Sequence, residues 1–330
     1  MSDFLADDPE WADVVPVRQY ENANPIAPIF YSDEYTDATD YLRGVLKTGE
    51  MSLRVLRLTE RVIRMNPAHY TAWQLRYKTL LALKLALDDE LRLMDEIATT
   101  FLKTYQVWHH RRLLLTTLND VPTAARELGF LTTVLDADSK NYHTWSYRQW
   151  ILAHFNDEGT LWQSERPYVE QLLEEDVRNN SAWHHRFFVV FSSGVREGDE
   201  DRDRVLKREL SFAKEKIALA PNNPSAWNYL RGALEFTKTP FATVKAFVMP
   251  YTASSPPPPS DVVDLDDPVP SQGAELPCVA AMEFLADIYE QEGGDAVPEA
   301  AKIWKSLAED RDTMRKKYWV YRIREATQAP

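Results

Sequence analysis

The 330-residue sequence predicts an all-α fold, a stack of antiparallel helix hairpins, on three observations. A tryptophan-centred phrase recurs at helix-hairpin spacing. Glycine is scarce, at 10 residues against 10 Trp, 15 Tyr and 13 Phe, and Leu-rich stretches replace the alternating Val/Ile/Thr runs that strands favour. Between the phrases, apolar residues return every three or four positions, which is the helical period.

Residues 1–40 precede the repeats. Pro16, Pro25 and Pro28 with Trp11, Tyr20, Phe30 and Tyr31 describe an extended arm whose aromatic side chains call for a surface to pack on. Residues 41–330 then form one helical-repeat domain. Its phrases are NPAHYTAWQLR, KTYQVWHHR, KNYHTWSYR, RNNSAWHHR, NNPSAWNYLR and KKYWVYR, centred on Trp73, Trp108, Trp145, Trp183, Trp227 and Trp319. Asn, Ser or Pro ahead of each run supplies helix-start chemistry. Trp-x-x-Arg then sets an indole and a guanidinium one turn apart, as in Trp73/Arg76, Trp108/Arg111, Trp145/Arg148 and Trp183/Arg186. The fifth copy stretches to Trp227 and Arg231. The tryptophans read as core, and the arginines as buried struts between repeats.

Partner helices lie between the phrases, with Leu91, Met94, Ile97, Ala98, Phe101 and Leu102 in one and Leu206, Leu210, Ala213 and Ile217 in another. One hairpin cannot bury its apolar stripe alone, so neighbours stack into a continuous core with a curved, two-layer surface suited to holding another protein. Residues 239–276 break the rhythm. Their run SSPPPPSDVVDLDDPVP carries prolines that forbid helix and acids that disfavour burial, which predicts an inserted, protruding and moving loop.

The formal charge of −13 argues against a nucleic-acid face, which needs clustered Lys and Arg. The acidic start MSDFLADDPEWADVV is unlike a secretory signal, and no apolar run reaches membrane-spanning length. The single Cys278 cannot form an internal disulfide or a cysteine-based zinc site. Together these predict a cytoplasmic protein without membrane insertion. Self-contained catalytic and phosphate-loop motifs are absent from the sequence. The pairs His109/His110 and His184/His185 diverge by about 100° on a helix, so no metal site is expected in this chain.

Two clusters of polar residues stand just ahead of successive tryptophans: Lys103, Tyr105 and Gln106, then Asn141, Tyr142 and His143. Helix starts present free N–H groups and partial positive charge, so these side chains can hold a diphosphate. They can equally cap helices and satisfy buried carbonyls. Spacing leaves both readings open.

At KTYQVWHHRR, KNYHTWSYRQW and EDVRNNSAW, with PEWADVVPV, PIFYSDEY and PNNPSAWNYLRG, the chain resembles the α subunit shared by protein farnesyltransferase and type I geranylgeranyltransferase. The likeness covers residues 9–237 and resumes at KKYWVYRI. It implies a right-handed superhelical crescent, tetratricopeptide-like, wrapped around a β subunit that binds Zn2+, with Mg2+ assisting farnesyl transfer. The implied activity moves an isoprenoid from its diphosphate to the thiol of C-terminal Cys-aliphatic-aliphatic-X tails, as on Ras/Rho-type GTPases. Zinc would present that thiol as a thiolate.

Carried over by position, the resemblance implies that Lys103 stabilises charge on the leaving diphosphate. Tyr105 lines the isoprenoid, Asn141, Tyr142 and His143 flank the pocket, Gln106 meets the peptide's terminal carboxylate, and Tyr70 borders the site of its last residue. Thr104 stands where the family phrase commonly has Asn, and Ser146-Tyr147 where Gln-His is usual. Two alternatives are a Rab-directed geranylgeranyltransferase α subunit and a non-catalytic tetratricopeptide-like adaptor.

Overall fold

The computed structural model describes residues 4–20, 24–192, 202–258 and 264–328. Among the described residues the regular elements are helices, without a strand. They are α1 (Asp33–Thr48), α2 (Leu53–Met65), α3 (Tyr70–Ala82), α4 (Leu87–Thr100), α5 (Tyr105–Leu118), α6 (Val121–Ala137), α7 (Tyr142–Phe155), α8 (Glu165–Glu175), α9 (Asn180–Phe187), α10 (Arg202–Leu219), α11 (Pro224–Thr237), α12 (Lys245–Val248), α13 (Val279–Glu292), α14 (Val297–Ser306) and α15 (Lys316–Gln328). Contacts group the chain into two compact units, Met1–Asp157 and Glu158–Pro330.

In the first unit, α2–α3, α4–α5 and α6–α7 are the repeat hairpins, and the tryptophan-bearing helices α3, α5 and α7 lie side by side. The arm packs against α1 and α2. Trp11 is buried edge-on to Tyr41, with the Arg54 guanidinium above its ring. The approach is close enough to require glycine, since a Cβ on Gly44 would lie 2.5 Å from the carbonyl oxygen of Val15. Helix α1 starts at Asp33, inside the stretch assigned to the arm, because the Ser32 hydroxyl accepts from the Tyr35 amide and caps it there. In the second unit, α8–α9 and α10–α11 are the hairpins, α9 lies beside α11, and α13, α14 and α15 pack in succession.

Each of the first five tryptophans is held alike. Its indole N–H donates to the carbonyl six residues earlier, Trp73 to Pro67 at 2.8 Å, Trp108 to Leu102 at 2.9 Å, Trp145 to Ser139 at 3.0 Å, Trp183 to Val177 at 2.8 Å and Trp227 to Pro221 at 2.8 Å. The ring thereby clamps the turn that leads into its own helix, burying a large apolar area without orphaning its N–H. Trp319 departs from the series. It is buried among Met282, Trp304 and Leu307 and donates to the Asp312 carboxylate at 3.2 Å.

Arg76, Arg111, Arg148 and Arg186 are buried, as expected; Arg148 donates to the Leu128 carbonyl and the Thr132 hydroxyl, and the other three meet glutamates on the partner helices. Arg76 of α3 meets Glu90 through Nε at 2.6 Å and Nη2 at 2.7 Å, and His110 of α5 contacts the same carboxylate at 2.9 Å. Glu127 receives Arg111 and, at 2.9 Å, the Tyr147 hydroxyl. Glu209 receives Arg186 at 2.7 Å and the Tyr229 hydroxyl at 2.7 Å. One carboxylate thus ties two successive inner helices together. Burial by itself would raise the Glu90 pKa, but the hydrogen bonds from His110 and Arg76 outweigh it and bring the group down to about 2.

Residues 239–276 correct the sequence reading in part. Phe241–Val244, α12 and Met249–Thr252 are short helical turns, and Phe241, Val244, Phe247, Val248 and Tyr251 are buried. Their aromatic rings meet Trp227 and Phe284. The apolar residues at three- and four-residue spacing carry this stretch into the core before the proline run begins. Further on, Lys214 binds Asp267 at 2.6 Å, and the Tyr251 hydroxyl donates to the Pro268 carbonyl at 2.8 Å. The stretch is therefore anchored where it is described, whereas the expected protruding loop includes residues 259–263, which lie outside the described residues.

Replacing Glu127 with Ala leaves the buried Tyr147 hydroxyl without its acceptor and the buried Arg111 with Asp95 alone, at 2.7 Å, and unfolding by urea is expected to show a loss of about 3 kcal/mol; an unchanged midpoint would remove the network from its structural role. The pH dependence has a definite sign. Because the folded-state pKa of Glu90 is depressed to about 2, its contribution is complete above its unfolded value of about 4.3 and is lost as pH falls from there toward 2. Glu90→Gln should therefore lose less stability than the parent chain between pH 6 and pH 3, and equal losses would contradict this assignment.

Candidate functional site

Tyr70, Tyr105 and Tyr142 are the first residues of α3, α5 and α7. Burying the tryptophan three residues further on turns each tyrosine outward, and the three are 74%, 69% and 70% exposed. Around them lies an open cavity of about 470 Å3 within the first unit. Tyr70, Tyr105, Gln106, Trp108, His109 and Arg112 form part of its wall, and Tyr142, His143, Ser146 and Tyr147 of α7 complete it. The Tyr105 and His143 rings meet edge to face at 4.3 Å, and the Tyr142 and His143 rings at 5.7 Å. Burial pushes the His143 pKa down, so its imidazole favours the neutral form.

Five of the seven expected site residues thus come together: Tyr70, Gln106, Tyr105, Tyr142 and His143. The other two take different places. Lys103 precedes α5 without lining the cavity. Its side chain is 80% exposed, and its ammonium lies 3.8 Å from the Asp138 carboxylate. Asn141 is buried, and its side-chain oxygen accepts from the Thr144 amide at 3.1 Å to cap α7. It holds the start of α7 in place and does not face the cavity.

The three helix starts are not equivalent. The His69 ring nitrogen caps α3 by accepting from the Ala72 amide at 3.2 Å, and Asn141 caps α7. Thr104 makes no side-chain cap on α5. The start of α5 therefore keeps its first N–H groups and the positive end of its dipole available beside Lys103. Among the described residues no carboxylate lines the cavity, although the chain has 51 acidic against 38 basic residues. Exposed rings and a neutral imidazole line the cavity, and a lysine with free helix-start donors stands beside it, groups whose chemistry is compatible with an apolar ligand that carries an anionic head.

Two features escaped the sequence reading. Arg112 enters the cavity wall beside the expected residues. The glutamates behind the wall also had a signal, because Glu90, Glu127, Glu165 and Glu209 each stand at one fixed interval before Trp108, Trp145, Trp183 and Trp227. The departure at Tyr147 gains a reason here. It occupies the place held by His110 and His185 in neighbouring repeats and makes the same kind of bond to its glutamate.

Comparison with known proteins agrees with this architecture. The model of the protein prenyltransferase alpha subunit repeat matches residues 53–83, 87–118, 124–155, 162–193 and 206–237, the five hairpins described above. The chain is 34% identical over 319 residues to the protein farnesyltransferase/geranylgeranyltransferase type-1 subunit alpha of Dictyostelium discoideum, covering 95% of this chain and 91% of that one. It is 30% identical over 213 residues to the geranylgeranyl transferase type-2 subunit alpha of Mus musculus, covering 61% of this chain and only 37% of that protein. The solved Candida albicans protein geranylgeranyltransferase-I complexed with GGPP contains a chain that matches with a TM-score of 0.82 at 30% identity, covering 97% of this chain and 99% of that one. A chain with five such repeats and relatives aligned over nearly its whole length belongs to the protein prenyltransferase alpha subunit family.

Proposed function

We propose that this chain is the α subunit of a heterodimeric protein prenyltransferase of the farnesyl and type I geranylgeranyl kind. In this reading the heterodimer transfers an isoprenoid from its diphosphate to the thiol of a C-terminal Cys-aliphatic-aliphatic-X tail. The observation that carries the proposal is the acid-free cavity walled by exposed tyrosines, with Lys103 beside an uncapped helix start. That arrangement suits a ligand with an apolar tail and a concentrated negative head. Near-complete coverage of the type-1 relative, against 37% of the type-2 one, favours this reading over the Rab-directed one.

The roles of the residues follow from where they sit. As the bond from the isoprenoid to its diphosphate breaks, negative charge accumulates on the leaving group, and a cation poised there lowers the barrier. Lys103 supplies that cation; its high exposure leaves the ammonium free to exchange the 3.8 Å contact with Asp138 for a phosphate oxygen. The N–H groups opening α5 add fixed partial charge. Tyr105 and Tyr142 offer ring faces to the isoprenoid, while neutral His143, braced against both rings, can donate a hydrogen bond without a formal charge. Gln106 is placed to donate to the peptide's terminal carboxylate, and Tyr70 bounds its last residue. Asn141 acts through the helix it caps.

Among the described residues no group of three or more His, Cys, Asp or Glu could hold a metal ion. In the proposal zinc belongs to the partner subunit. Magnesium is likewise assigned to the diphosphate rather than to a site on this chain. No helix of the described residues is long and apolar enough to cross a membrane.

The test is transfer of labelled farnesyl diphosphate to a Cys-aliphatic-aliphatic-X peptide by the chain co-expressed with a β subunit. Lys103→Ala is expected to lower transfer at least tenfold with the pair intact, a loss of about 1.4 kcal/mol or more. Normal transfer by that variant would make the chain a scaffold. Asn141→Ala is expected to cost about 1 kcal/mol of stability through its lost cap; a variant with unchanged melting but lost transfer would return Asn141 to the pocket.

A further inference from the structure

Four arginines on the inner helices, Arg76, Arg111, Arg186 and Arg231, meet carboxylates, whereas Arg112 does not. Arg76, Arg111 and Arg186 are buried against glutamates. Arg112, one position further along α5 than Arg111, is exposed, and among the described residues its guanidinium has no hydrogen-bond or ion-pair partner. It is nonetheless held in place. It lies 4.7 Å above the Trp150 ring, which stacks on Tyr147 at an interplanar angle of 8° and on His154 at 18°. The result is a ledge of parallel rings along α7 with a cation on top and, among the described residues, no acid within ion-pair distance.

The fifth repeat contains the same feature in a finished state. Arg231 follows Trp227 by four positions, as Arg112 follows Trp108. Its guanidinium also lies over aromatic rings, 4.8 Å from Phe284 and 5.3 Å from Phe241. There, however, α13 packs over the repeat and presents Asp287 at 2.5 Å. Covering an arginine with an apolar surface requires a carboxylate in the cover, because a buried unpaired guanidinium is strongly unfavourable.

We infer that the partner subunit covers the α5–α7 face and presents a carboxylate to Arg112 as α13 does to Arg231. Charge complementarity selects an acidic side chain, set among apolar residues that rest on the ring ledge. Arg, Trp and Tyr are also the residue types that dominate interface energetics. Arg112 shares the cavity wall with Tyr105 but stands seven residues along α5 from it, about 10 Å at 1.5 Å per residue, so it is separate from the lysine and helix start assigned to the diphosphate. This inference rests on the heterodimer reading above.

The experiment is assembly of the full chain with its cognate β subunit, measured as a dissociation constant. Arg112→Gln is expected to weaken assembly about tenfold or more and Arg112→Glu about a hundredfold or more, with the melting temperature of the uncombined chain unchanged. In the assembled pair, Arg112→Lys should crosslink to a partner Asp or Glu through a carbodiimide, which joins only amines and carboxylates in direct contact. If the parent pair forms and Arg112→Glu forms equally tightly, the anchor is refuted while the heterodimer stands. If assembly is unchanged and the KM for the peptide rises instead, the guanidinium serves substrate and the inference is equally refuted. A parent chain that binds no β subunit overturns the heterodimer reading and this inference with it.

Discussion

One buried carboxylate shared between two neighbouring inner helices is the constraint on which the rest of the structure depends. Hairpins stacked on apolar stripes alone could slide, because the hydrophobic effect is not directional. Glu90 removes that freedom by accepting from Arg76 on α3 and contacting His110 on α5. Glu127 does the same for α5 and α7, and Glu209 for α9 and α11. Such groups are costly to desolvate and become tolerable only when each is fully paired. Satisfying them therefore selects one register out of many compact ones.

The candidate site follows from that register. The tyrosines opening α3, α5 and α7 project outward because the tryptophan three residues later is pinned inward by its bond to the preceding turn. With the helices locked, the tyrosines border one cavity with His143 between two of them. Most of the candidate site is thus made of positions that contribute little to the core, with the buried Trp108 and Tyr147 forming the part of its wall that the core supplies. Asn141 is the instructive case, because as a buried cap it supports the site without facing it.

Where the two views of the chain part, packing is the reason. The stretch after α11 reads as an insertion for its prolines, yet Phe247 and Tyr251 are buried against Trp227, since enough apolar area outweighs the loss of regular helix. Trp319 repeats the phrase but not its bonding, because the turn before α15 differs from the turns before the other five. Histidine pairs that resemble metal ligands divide instead by face, with His110 buried on Glu90 and His109 exposed at the cavity.

The sequence by itself determined the helical class, the five-repeat spacing, the burial of the Trp and Arg side chains, and which polar residues stand at the starts of the inner helices. Those are local properties, set by period and by helix-start chemistry within a few residues. Only the tertiary structure decided that Asn141 turns in to cap α7 while Tyr142 and His143 turn out. It alone showed that Thr104 leaves α5 uncapped, that Tyr147 stands in for a histidine, and that Arg231 has an acid where Arg112 has none. Each of these depends on which side chain from another helix arrives beside the residue, and no spacing along one chain encodes that meeting until the helices are packed.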